Sequence, residues 1–127
     1  MTDSKAEFDW DRSVEDLLTE TRRQLLPVFA GTGYRLVRDG KDGEKMNNIL
    51  PSFSERRVGY IVPKRRNRCF TIAFQKEYLY SIRASGAKHT DILKEIKPGR
   101  YPNWGQFDGL SFEDLQLAVK AILAATC

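Results

Sequence analysis

Val14, Leu17, Leu18, Leu25, Val28 and Phe29, with Thr21 among them, recur at steps of three and four, while Glu15, Glu20, Arg22 and Arg23 fall outside that stripe. A period near 3.6 gives a helix one apolar face. Ser13 stands just before it with Asp16 three residues on, the spacing at which side chains cap the free amides of a first turn. The pattern predicts a helix opening at Ser13, with Pro27 disrupting its last turn and Gly31 and Gly33 ending it.

The period then shortens. "YRLVR" (34–38) is a strand candidate, and "DGKDG" (39–43) holds two Asp-Gly pairs, both turn signals. Residues 44–54 show no period and read as loop, with at most a short strand at 48–50. "RRVGYIVP" (56–63), "RCFTIAFQ" (68–75) and "EYLYSIRA" (77–84) are rich in β-branched and aromatic residues. Phe70, Ile72 and Phe74 alternate onto one face, as do Tyr78, Tyr80 and Ile82. Only "KRRN" (64–67) and Lys76 separate the three, which predicts an antiparallel meander. "TDILKEIK" (90–97) predicts two helical turns. "RYPNWGQF" (100–107) predicts an extended edge strand, because Pro102 would leave a gap in a central ladder. Ser111, with Asp114 three residues later, opens a last helix whose inner stripe is Leu115, Ala118, Val119 and Ile122.

The expected fold is a single α+β domain over 13–127. It is an antiparallel β-meander with N- and C-terminal helices packed on one face and a short helix before the last strand. Residues 1–12 read as a flexible acidic arm that Phe8 and Trp10 can pin. At 127 residues, 41% hydrophobic and 11% aromatic, the chain supports one core. No run approaches the roughly 18 apolar residues of a membrane span, and "MTDSKAEFDWDR" lacks the pattern of a secretion signal, so the expected location is cytoplasmic with no membrane partner. Nothing in the pattern bears on oligomeric state.

Charge is distributed unevenly. Residues 1–20 hold seven acids against Lys5 and Arg12, a balance of −5, and the rest of the chain holds 19 bases against 10 acids, or +9. Arg56, Arg57, Lys64, Arg65, Arg66 and Arg68 lie within 13 residues that contain no acid. In the meander, 64–68 form a hairpin loop whose guanidinium groups can grip phosphate oxygens in pairs. Tyr60, Tyr78, Tyr80, Tyr101 and Trp104 are candidates for stacking on bases, against the simpler role of packing.

Catalytic patterns are weak by comparison. His89 is the only histidine, with Thr90 and Asp91 beside it, but sequence neighbours do not make a triad. A Cys69–His89 pair competes with the usual packing role of a cysteine at a strand start. Cys69 and Cys127 are too few for a disulfide scaffold or a zinc site. "DGKDGE" lacks the alternating oxygen ligands of a calcium loop. No cofactor, metal or catalytic residue is expected. The expectation is a non-enzymatic binding module meeting an anionic partner, nucleic acid, through Arg56, Arg57, Lys64, Arg65, Arg66 and Arg68. The alternative is a protein-interaction domain, a regulator or inhibitor, using the acidic arm with Trp10, Tyr101 and Trp104.

Overall fold

The computed structural model describes residues 8–39, 46–54, 56–89 and 104–125. The first helix, α1 (Val14–Phe29), starts where Ser13 Oγ accepts from the Asp16 amide at 3.1 Å. Pro27 sits inside its last turn without stopping it before Phe29. Five strands follow: β1 (Tyr34–Asp39), β2 (Met46–Pro51), β3 (Gly59–Lys64), β4 (Cys69–Gln75) and β5 (Trp104–Leu110). A short helix, α2 (Leu79–Ala84), precedes β5, and α3 (Phe112–Ala125) closes the fold. Ser111 caps α3 as expected, accepting from the Asp114 amide at 3.1 Å and donating to its carboxylate at 2.9 Å.

The strands make one antiparallel sheet in the order β1-β2-β3-β4-β5, every strand pairing with the next. Register places Leu36 and Ile49 in one row and Ile61, Ile72 and Phe107 in the next row of the same face. All five are buried, and they share a core with Leu25 and Phe29 of α1 and with Leu115, Ala118, Val119 and Ile122 of α3. Terminal helices thus cover one face, as the pattern predicted. Gly59 lets β3 and β4 close up there, since a Cβ would stand 2.8 Å from the Ala73 carbonyl oxygen.

Two sequence expectations are corrected. Residues 46–51, read mostly as loop, form β2. Its two asparagines are buried: Asn47 donates to the Leu18 carbonyl of α1 at 3.1 Å, and Asn48 accepts from Arg57 at 3.0 Å. Residues 77–84, read as a third meander strand, form a 3₁₀ turn (Lys76–Tyr78) and then α2. Tyr78 and Ile82 are buried but Tyr80 is 82% exposed. Positions four apart share a face under both periods, and the outward Tyr80 marks the helix. The partner of β4 is therefore β5, which lies at the sheet edge. The helix expected at 90–97, the turn at 40–43 and residues 100–103 lie outside the described residues.

Two local features shape the ends of strands. Pairing between β2 and β3 stops at Ile61, so Pro63 lies beyond the end of that ladder. The β4–β5 register shifts between Phe70 and Ile72, where β5 carries an extra residue around Asp108 and Gly109. Gly109 has φ +76°, the left-handed backbone that such a bulge favours in glycine. Among the described residues, no helix is long and apolar enough to cross a membrane.

Candidate nucleic-acid interface

The hairpin expected around the basic loop is present. Lys64 ends β3, Arg65–Asn67 form one 3₁₀ turn, Arg68 turns the chain and Cys69 starts β4. Lys64, Arg65, Arg66 and Arg68 are all exposed. Arg68 has φ +52° and ψ +47°, the one positive φ outside glycine among the described residues. A side chain in that region costs roughly 1–2 kcal/mol, so glycine or asparagine is the usual occupant. Here the position carries a cation instead.

The N-terminal segment comes to meet this tip. Phe8 packs edge-on against Phe70 with ring centroids 5.2 Å apart and stacks on Phe112 at 5.8 Å; Trp10 lies 4.8 Å from Phe70. These contacts bring Asp11 to Arg68, where carboxylate and guanidinium pair at 3.1 Å in an exposed position. Other acids of the segment are held locally. Asp9 pairs with Arg12 at 3.2 Å, and Arg12 also reaches Glu20 at 3.7 Å. Hydrogen bonds from Arg23 and then Gln24 hold the Glu20 carboxyl below its ordinary pKa. Among the described residues, Lys64, Arg65 and Arg66 have no ion-pair partner.

Arg56 and Arg57 are not part of the tip. They precede β3, on the order of 20 Å away at about 3.3 Å per residue. Arg56 is exposed. Arg57 is committed to the second sheet face: its guanidinium donates to Asn48 and lies over the rings of Tyr60 and Trp104, 5.0 and 5.8 Å from their centroids. Those two rings stack at 5.8 Å, and Trp104 is buried. The six-residue cationic stretch thus divides into a tip of four and a separate pair. Sequence distance missed Asp11, which stands 57 positions from Arg68.

Grooves lie on either side of the tip. Trp10, Asp11 and Val14 with Arg65, Arg66 and Arg68 enclose about 490 Å³. The other groove, about 810 Å³, runs from Lys64, Asn67 and Arg68 to Thr71, Gln106 and Asp108. In it Thr71 Oγ1 donates to Asp108 Oδ1, and Gln106 Nε2 donates to the same oxygen at 3.3 Å.

His89 stacks flat on Phe107, centroids 3.7 Å apart, beneath the helices. Cys69 belongs to the opposite face of the sheet, in register with Lys64, so the two are not brought together. Among the described residues, no group of three or more His, Cys, Asp and Glu is placed to hold a metal. Tyr101 lies outside the described residues. Comparison with protein-family models, curated proteins and solved structures finds no match to this chain.

Proposed function

We propose that this protein is a non-enzymatic binding module that takes nucleic acid at the β3–β4 tip through Lys64, Arg65, Arg66 and Arg68. The observation carrying this reading is the tip itself: three exposed cations with no ion-pair partner among the described residues, beside a fourth held in a left-handed turn. Backbone that departs from its preferred region concentrates where side chains have work to do. Arg56 and Arg57 fall outside the proposed contact. The protein-interaction alternative uses Trp10, Tyr101 and Trp104: Trp104 is buried against Tyr60, Trp10 is half-buried against Phe70, and Tyr101 lies outside the described residues. Its support is the acidic charge of the N-terminal segment, part of which the tip already uses.

Binding measured across a salt series tests the proposal. Three to four neutralised phosphates give a log–log slope of about −2.7 to −3.6 on duplex DNA and about −2.1 to −2.8 on a single strand. Replacing Arg65 and Arg66 together by serine should flatten that slope by about 1.4 to 1.8. Binding that ignores salt, or is unchanged in the double variant, rejects the reading.

A further inference from the structure

What flanks the tip decides which form of nucleic acid it can meet. A two-stranded ribbon that reads a duplex has to enter a major groove about 12 Å wide. This ribbon does not stand clear. The 8–14 segment rises along one side, close enough for Asp11 to reach Arg68 at 3.1 Å, and the turn from β5 into α3 lies across the second groove. Arg68 belongs to both grooves, so a chain crossing the tip there has a groove on either hand. Both volumes fall within the roughly 300–1,000 Å³ of small-molecule sites, room for a nucleotide each. A duplex keeps its bases stacked inside and has nothing to place in them. A single strand does.

The two grooves differ in chemistry. In the first, half-buried Trp10 and Val14 form an apolar wall beside the guanidinium groups, a surface on which any base can stack. The second is built by the β5 bulge, a device that re-aims side chains next to functional sites. There Thr71 and Gln106 fix the Asp108 carboxylate in one orientation, and Thr71 itself is buried. A phosphate entering beside Asp108 is repelled, whereas an unpaired base edge offers the N–H donors a carboxylate accepts.

We infer that the ligand is single-stranded nucleic acid. Its phosphates lie on Lys64, Arg65, Arg66 and Arg68, one base stacks on Trp10, and another is read at its edge by Gln106 and Asp108. This rests on the tip being the phosphate contact.

Fluorescence anisotropy with short single strands of DNA and RNA, one homopolymer per base, and with a duplex of matched length tests it at fixed low salt. Single strands should bind at least about 5-fold tighter than duplex, the lower end of what one stacked base contributes. Gln106→Ala should narrow the differences among homopolymers and leave the salt slope unchanged. Because Trp10→Ala risks unfolding, stacking is read in Trp104→Phe protein, where Trp10 is the remaining tryptophan; single strands should quench its fluorescence. Equal affinity for duplex and single strand, with binding still lost in the Arg65/Arg66 double variant, overturns the single-strand inference and keeps the tip. Tight single-strand binding without quenching overturns the stacking assignment. Failure of every oligonucleotide to bind overturns both this inference and the function beneath it.

Discussion

Replacing Asn47 with aspartate changes one buried nitrogen to oxygen at a site that the structure leaves little means to accommodate. Asn47 is 0% exposed, its Nδ2 donates to the Leu18 carbonyl of α1 at 3.1 Å, and its Oδ1 has no hydrogen-bond partner. The carboxylate would set one acceptor against another and bury a charge. Arg38 lies opposite in the register, but its guanidinium is drawn to Glu15 at 3.1 Å. An uncompensated buried charge costs about 3–5 kcal/mol. Once protonated, the acid regains a donor for the Leu18 carbonyl, and the cost falls to about 1 kcal/mol. That difference of about 2–4 kcal/mol corresponds to a folded-state pKa about 1.5–3 above the ordinary 3.9. The penalty is thus full above the folded pKa and shrinks as pH falls through it. Urea denaturation of both proteins at about pH 8 and about pH 5 measures the two gaps. An equal gap at both pH values refutes the reasoning, as does an Asn47→Leu variant that loses as much as the aspartate.

Three further outcomes follow from the same contacts. Arg68→Gly should raise or hold thermal stability, by up to about 1 kcal/mol once the backbone strain is relieved, while weakening nucleic-acid binding and lowering its salt slope; a thermal melt and a salt series read the two effects. Asp11→Asn releases the Arg68 guanidinium from its internal anion and should tighten nucleic-acid binding by a few-fold, in keeping with an exposed pair of about 0.2–1 kcal/mol. Burial, with Glu77 and Tyr34 adding to it, pushes the Tyr78 hydroxyl up to about 12. Its stabilising contribution is therefore complete below the unfolded value of about 10 and is lost as pH rises from there to about 12; Tyr78→Phe should flatten that part of an alkaline unfolding curve.

Helical faces were legible because their periods are long and unbroken: α1 and α3 begin at the serines the spacing marked. Strand β2 was not, since two consecutive asparagines argue against a strand unless something buried receives them. The Leu18 carbonyl and the Arg57 guanidinium do so, and neither is near in sequence. For α2 the sequence held two periods at once, and only the exposure of Tyr80 separates them. The tip cations were legible as a cluster. Their division from Arg56 and Arg57 was not, because adjacency along an extended strand translates into distance. Arg68's backbone and the approach of Asp11 arise from the turn and from the aromatic packing of Phe8 and Trp10 around Phe70.

Pro63 gives the tip a negative property. Among the described residues, pairing on the β2 side of β3 ends at Ile61, and an unpaired stretch of strand invites a foreign strand to add itself. Proline has no amide hydrogen, and the next position is the exposed Lys64, so main-chain augmentation is discouraged along this stretch of β3. Visitors to this end of the molecule are left to negotiate with side chains alone, and most of those are positively charged.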